Sequence, residues 1–97
     1  MSTLKINLIN ARRRLISGRW VQGYPDHTEN TFCAVTAPQP DPVYDEDLYL
    51  HLYAHLPTEY KDTNNEISAI IAFNDAPTTT LEDVLALYDA AIMDADQ

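Results

Sequence analysis

The strongest constraint on the fold is a tight polar corner, the sequence Asn-Asp-Ala-Pro at residues 74–77, which separates two helical patterns. The residue before a proline is pushed out of the helical region of backbone conformation, so Pro77 predicts the end of the first helix. Thr80 and Asp83 then form a capping box, in which a hydroxyl and an acid satisfy two amides at the start of the next helix. The sequence therefore predicts two helices joined by a short turn.

Apolar residues recur at three- and four-residue steps on both sides of this corner, as expected for helices that each bury one face. The apolar positions after the corner are Leu81, Val84, Leu85, Tyr88, Ala91 and Ile92. Those before it are Ile67, Ile70, Ile71 and Phe73. We expect the second helix to reach about Met93 and the first to be capped by Asn64 or Asn65. Asn74 and Asp75 are interpreted as turn residues rather than catalytic groups, because short polar side chains bond nearby backbone.

Two further helices are predicted nearer the N-terminus. The first begins at Ser2 or Thr3 and ends at Gly18. Its apolar stripe consists of Leu4, Leu8, Ala11 and Leu15. Residues 43–56 fit either a strand, through alternating leucines, or a helix, through four-residue spacing of leucines and tyrosines. The length of this segment and the three acids at residues 45–47 favour the helix, because anions are stabilised near a helix N-terminus.

Two short segments between these helices are rich in aromatic and β-branched residues. They span residues 20–24 and 31–36, and a polar loop at residues 25–30 joins them. This pattern predicts a β-hairpin. The whole chain, residues 1–97, is therefore predicted to be one domain of the α+β class, mainly helical, with about four helices and a small β-hairpin between helix 1 and helix 2.

Charge is distributed very unevenly along the chain. Five of the six basic residues lie within the first 19 residues, which contain no acid. All 15 acids and one lysine follow, so the two parts carry +5 and −14. A strongly acidic body repels nucleic acid and attracts basic partner surfaces. The alternative is that the acids only keep the protein soluble and pair with the basic first helix.

Three sequence elements resemble an uncharacterised family of small bacterial and phage proteins. They are Phe73-Asn-Asp-Ala-Pro77 with Thr80 and the Val-Leu-Ala-Leu-Tyr run at residues 84–88, Trp20-Val-Gln-Gly23, and Cys33-Ala34. The family pattern is (Trp/Phe)-Asn-Asp-x-Pro-x-x-Thr followed by Val-Leu-x-Leu-(Phe/Tyr). The resemblance implies no activity. It implies a phage or mobile-element setting, and the proline-rich residues 37–42 depart from it.

Two histidines are candidate metal ligands. If residues 43–56 are helical, Asp47, His51, His55 and Glu59 share one four-residue register, and two histidines at such spacing can bind zinc or nickel. A third ligand is not evident from the spacing, and the glutamate of the His-Glu-x-x-His motif is absent. The sequence therefore predicts a solvated polar face, no metal and no cofactor, with a small metal-dependent protein as an alternative.

No catalytic motif is present, so we expect a binding protein rather than an enzyme. The prediction is an inhibitor, of the anti-CRISPR type, whose acidic surface occupies a nucleic-acid-binding site on a host protein or ribonucleoprotein. Exposed tyrosines beside acids would resemble an interface hot spot. The predicted partner-binding residues are Asp41, Asp45, Glu46, Asp47, Tyr49, Tyr53, Asp89 and Asp94. A virion or scaffold component, or a self-associating regulator, is the remaining alternative, and a homodimer stays open.

The expected setting is the cytoplasm, that of the host cell if the protein is phage-encoded. A single cysteine, Cys33, excludes an internal disulfide and fits a reducing compartment. No apolar run approaches the ~20 residues that a membrane-spanning helix needs. We therefore predict no membrane partner and no direct contact with nucleic acid.

Overall fold

The computed structural model describes residues 3–22, 31–34, 36–37, 46–61 and 65–95. The α-helices in these ranges are α1 (Thr3–Ser17), α2 (Glu46–Ala54), α3 (Glu66–Asp75) and α4 (Leu81–Ala95). A 3₁₀ turn (Thr58–Tyr60) follows α2, and two short strands are β1 (Arg19–Trp20) and β2 (Thr31–Phe32). The prediction of a mainly helical fold with four helices is confirmed.

Helix α2 lies at the centre of the packing, because α1, α3 and α4 all pack against it, and α1 also packs against α4. Most positions of the predicted apolar stripes line this core, but Ile71 of α3 is 41% exposed. The buried residues of the core from the helices are Leu8, Ala11, Leu15, Leu48, Tyr49, Leu52, Ala69, Ile70, Phe73, Val84, Leu87, Tyr88 and Ala91. Leu87 was not among the predicted apolar positions of α4, whereas Leu81, Leu85 and Ile92 are only partly buried. Contact with α1 and α2 on two sides widens the buried face of this helix beyond one stripe.

Helix α3 begins and ends where the sequence predicts. The side chain of Asn65 accepts hydrogen bonds from the amides of Ile67 (2.9 Å) and Ser68 (3.1 Å), so Asn65 is the N-cap. At the other end Ala76 is extended, with φ −62° and ψ 136°, because Pro77 follows it.

The predicted capping box of α4 is present. The amide of Thr80 donates to Oδ2 of Asp83 at 2.9 Å, and the amide of Asp83 donates to Oγ1 of Thr80 at 3.3 Å. Two amides that have no partner inside the helix are thereby satisfied. The helix continues two residues beyond the predicted end at Met93.

The ambiguous segment at residues 43–56 is helical from Glu46 to Ala54. Leu48 and Leu52 are buried, whereas Leu50 is 45% exposed. In a strand these three side chains would lie on one face, but in a helix the middle one points away from the other two. The burial pattern therefore follows from the helix, and residues 43–45 lie outside the described residues.

The two strands lie between α1 and α2, but the predicted hairpin is wrong. The strands are parallel, with Arg19 opposite Thr31 and Trp20 opposite Phe32, whereas a hairpin is antiparallel. The second strand also ends early, at Phe32. The hydroxyl of Thr36 accepts from the amide of Cys33 at 2.8 Å, and this local bond favours a turn over an extended chain. The predicted connecting loop lies outside the described residues.

Replacing the capping threonine tests the role of the box. We expect Thr80→Ala to lower the free energy of unfolding by about 1 kcal/mol, because the amide of Asp83 loses its acceptor, the Thr80 hydroxyl. Urea unfolding followed by circular dichroism measures the loss. Thr78→Ala is the matched control, since Thr78 is exposed in the same corner but lies outside the box. Equal losses in both variants would contradict the assignment.

Candidate functional site

A buried side-chain amide, that of Asn74, connects the last turn of α3 to two distant segments of the chain. The Asn74 side chain is fully buried. Its Oδ1 accepts from the indole Nε1 of Trp20 at 2.7 Å and from the backbone amide of Ala34 at 3.0 Å. Its Nδ2 donates to the carbonyl of Val21 at 3.1 Å and to Oδ1 of Asp75 at 3.0 Å. All four hydrogen-bonding positions of the amide are therefore used.

Gln22 completes this arrangement from outside. Its Nε2 lies 3.1 Å from the carbonyl of Asn74, 2.7 Å from that of Ala76 and 3.3 Å from that of Thr79. These carbonyls belong to the end of α3 and to the corner, where helix geometry leaves backbone acceptors without partners. The side chain of Gln22 therefore caps the end of α3 and fixes the corner. We refer to Trp20, Val21, Gln22, Ala34 and Asn74 as the Asn74 network.

Tyr88 joins the network to α4. Its hydroxyl donates to the carbonyl of Ala34 at 2.7 Å, and its side chain is fully buried. Burial, with smaller contributions from Tyr49 and Cys33, raises the pKa of Tyr88 well above its usual range, against an opposing effect of Arg14. The neutral phenol is thus strongly favoured, and it serves as a donor within the core.

The network is closed rather than open to a ligand. Within the described residues no buried side-chain nitrogen or oxygen lacks a hydrogen-bond partner. Cys33 is 6% exposed and receives a hydrogen bond from the Thr36 hydroxyl at 3.5 Å. A hydroxyl is not a general base for a thiol. His27, the histidine nearest to Cys33 in the sequence, lies outside the described residues. The arrangement therefore joins four chain segments and presents no nucleophile with a base.

The interpretation of Asn74 as a turn residue accounts for one of its contacts only. The bond to Asp75 is local, whereas the bonds to Trp20, Val21 and Ala34 connect residues 40 to 54 positions apart. Sequence reasoning missed these partners. The available signal was the resemblance itself, because its three elements contain Trp20, Gln22, Ala34 and Asn74.

One acid of the predicted partner-binding surface pairs with the basic first helix. Nε and Nη2 of Arg12 lie 2.7 and 3.4 Å from the two carboxylate oxygens of Asp89, a two-point contact between α1 and α4. The Asp89 side chain is still 58% exposed. This ion pair is one example of the alternative stated above, in which the acids pair with the basic first helix. Arg14 is used differently, since its Nη1 donates to the carbonyl of Ala37 at 2.9 Å.

His51 of α2 and His55, which directly follows this helix, lie near a carboxylate other than those of Asp47 and Glu59, with which they share a register. Nε2 of His51 and Nε2 of His55 lie 3.8 and 3.5 Å from Oδ2 of Asp94 on α4. Nδ1 of His51 lies 2.9 Å from the backbone carbonyl of Asp47. Within the described part of the chain, no three His, Cys, Asp or Glu side chains are placed to hold a metal ion.

The other predicted partner-binding residues are placed as follows. Asp41 and Asp45 lie outside the described residues, and Glu46 begins α2. Asp47 is exposed. Tyr49 is 1% exposed, so it belongs to the core and cannot be an exposed hot spot. Tyr53 is half-buried, and its hydroxyl donates to the carbonyl of Lys61 at 2.7 Å. Both tyrosines face inward because α2 packs against three other helices.

A family of unknown function, DUF6197, matches residues 1–94 of the chain. The chain belongs to this family. No curated protein and no solved structure matches it. Membership agrees with the resemblance to an uncharacterised family and assigns no activity. Among the described helices of this DUF6197 protein, none is long and apolar enough to cross a membrane.

Removal of the central amide is expected to be costly. Asn74→Ala leaves the Trp20 indole, the Ala34 amide and the Val21 carbonyl without a partner, and each buried orphan costs about 1–3 kcal/mol. We expect a loss of about 3–5 kcal/mol in the free energy of unfolding. Asn65→Ala is the matched control, because it removes an exposed cap asparagine worth about 1 kcal/mol. Chemical unfolding measures the free energy that each variant loses. Equal losses in the two variants would contradict the central role of Asn74.

The raised pKa of Tyr88 predicts a loss of stability in alkali. The phenol ionises more readily in the unfolded chain than in the core, so the unfolded state releases protons first as the pH rises above about 10. Stability is therefore full below that pH and falls above it, by up to about 1.4 kcal/mol per pH unit for one group. Tyr88→Phe removes this alkaline loss of stability. The variant also loses the hydrogen bond to Ala34, which costs about 1 kcal/mol at neutral pH.

Unfolding in urea between pH 8 and 11 measures both effects. Tyr60→Phe is the control, since Tyr60 is half-buried and its ring contacts Phe73 edge to face at 5.5 Å. An alkaline slope that is identical in wild type and Tyr88→Phe would contradict the assignment.

Proposed function

We propose that this protein is a non-enzymatic binding protein whose carboxylates engage a basic surface on another protein. The observation that carries the proposal is a set of acids for which the described residues supply no partner. Asp47, Glu59, Glu66 and Glu82, which we term the open carboxylates, make no side-chain hydrogen bond or ion pair with the described residues. Asp47, Glu59 and Glu82 are exposed, and Glu66 is half-buried.

The charge balance supports this proposal. Residues 20–97 carry −14, and the chain as a whole carries −9. Among the arginines of the described residues, one, Arg12, pairs with a described acid. Arg12 neutralises Asp89, but Arg14 is bound to a backbone carbonyl, and Arg13 and Arg19 are exposed. A surface with such an excess of anions creates a potential that attracts cationic partners and speeds their association.

The more specific form of the proposal names the class of partner. Carboxylates on a rigid helical body can occupy the same basic residues that bind nucleic-acid phosphates, and an inhibitor of that kind needs no catalysis. A phage or mobile-element protein that blocks a host defence ribonucleoprotein, as an anti-CRISPR protein does, fits this chemistry. Tyr49 is excluded from the contact because it is buried, and Asp47 remains in it.

Neutralising the open carboxylates tests the proposal. The test variant carries Asp47→Asn, Glu59→Gln, Glu66→Gln and Glu82→Gln, and the control carries Arg13→Gln and Arg19→Gln, which changes exposed charges of the opposite sign. The partner is captured from a bacterial host lysate with wild-type protein and identified by mass spectrometry. Its Kd for each purified variant is then measured at 50 and 300 mM salt.

We expect wild-type affinity to fall at least about tenfold between these salt concentrations, because exposed charges are screened beyond about one Debye length. The neutralised variant should bind weakly at both, and the arginine control should bind as tightly as wild type or more so. A Kd that changes neither with salt nor with the four substitutions would contradict the proposal. Competition by the partner's own nucleic acid tests the more specific form.

A further inference from the structure

The outer face of α1 carries a row of isoleucines, although the opposite face of this helix is already buried in the core. Ile6 is 42% exposed and Ile16 is 53% exposed, and Ile9 between them is half-buried. Arg13, which is exposed, completes a series with steps of three or four residues, the spacing that places side chains on one face of a helix. We call these four residues the isoleucine stripe. A contiguous exposed apolar patch on a folded domain indicates a binding surface.

The neighbouring helix, α4, presents acids on its own outer face. Four exposed residues again follow at steps of three or four, and we call them the acidic stripe: Glu82, Ala86, Asp89 and Met93. Helices α1 and α4 pack against each other, and Arg12 of α1 binds Asp89 at 2.7 Å. Arg12 directly precedes Arg13, so this ion pair lies at the boundary between the two stripes. The stripes therefore lie side by side on one face of the molecule.

The charges of the two stripes are opposite. Helix α1 contains basic residues and no acid, whereas α4 contains acids and no basic residue. A two-fold axis at the boundary would set the isoleucine stripe of each copy against the acidic stripe of the other, because an isologous contact uses the same patch on both copies. At ~1.5 Å per residue the two stripes span about 15 Å and about 16 Å, so their lengths also match. The combined face is therefore complementary to itself.

We infer that this combined face binds a second copy of the chain, with α1 of each copy packed on α4 of the other. The isoleucines of one copy then cover Ala86 and Met93 of the other, and Arg13 lies over the acids beside them. Nucleic acid or an anionic membrane suits this face less well, because Glu82 would repel the polyanion that Arg13 attracts.

The dimer goes beyond the proposed function and can be tested separately from it. Among the open carboxylates, Glu82 lies in the acidic stripe, whereas Asp47, Glu59 and Glu66 lie outside α1 and α4. A chain that stays monomeric still presents these three carboxylates to a basic partner. Failure of the dimer therefore does not imply failure of the proposed function.

Sedimentation equilibrium of the full-length chain over a range of concentrations tests the dimer. We expect the mass to approach twice that of one chain as the concentration rises, and no more. Ile16→Ser should weaken association at least about tenfold, because burying a large aliphatic side chain contributes that much and each dimer buries the residue twice. Ile71→Ser is the matched control, since Ile71 is 41% exposed on α3, outside this face, and this variant should associate as wild type does.

Charge reversals test the pairing of the two stripes. Arg13→Glu and Glu82→Lys, both at exposed positions, should each weaken association, because each sets like charges against one another. An equimolar mixture of the two variants should restore dimers, since in the mixed dimer each α1 meets an α4 of opposite charge. Circular dichroism verifies that every variant retains its helices.

Several results would overturn the inference. A wild-type chain that stays monomeric or forms larger assemblies would do so, and so would a mixture of the reversed variants that does not dimerise. Equal weakening by Ile16→Ser and Ile71→Ser would show that the face is not the contact. Monomers that bind phosphatidylserine vesicles, with binding lost in Ile16→Ser, would assign the face to a membrane surface instead.

Discussion

The fold depends on the hydrogen bonds of one buried amide. Asn74 lies in the last turn of α3, yet it accepts from Trp20 and Ala34 and donates to Val21, so it holds together segments that are far apart in the chain. Small domains have modest cores, and the described residues of this one form four helices with one short pair of strands. A fully satisfied buried network in such a domain fixes one arrangement of the connections, because any other would orphan several buried polar groups.

The same network explains how the acidic surface is supported. Gln22 and Asn74 fix the corner before α4, and Tyr88 bonds α4 to Ala34, so the orientation of that helix is set from inside. The acids of α4 then project from a rigid element. Two of these acids have neighbours within the protein. Arg12 binds Asp89, and His51 and His55 lie beside Asp94. Asp89 is therefore paired within the protein, whereas the open carboxylates are the ones that we propose to engage a partner.

Local features of the fold could be predicted from the sequence, and long-range ones could not. The Asn65 cap, the break before Pro77 and the capping box at Thr80 each depend on residues within four positions, and all three are present. The parallel strand pair and the partners of Asn74 depend on contacts 12 to 54 residues apart, which helical and strand periodicities do not encode. The same limit applies to the surface: Tyr49 and Tyr53 share a segment with exposed acids, and only the packing of α2 decides that they face inward.

The central claim is that the Asn74 network opens only when the whole domain unfolds, and the exchange rate of one proton tests it most directly. The chain contains one tryptophan, so its indole N–H gives a single, unambiguous NMR signal. The account predicts that this proton exchanges with solvent only through global unfolding, with the same free energy as the most protected core amides of α4. Exchange at the rate of a freely exposed indole, while the core amides stay protected, would contradict it.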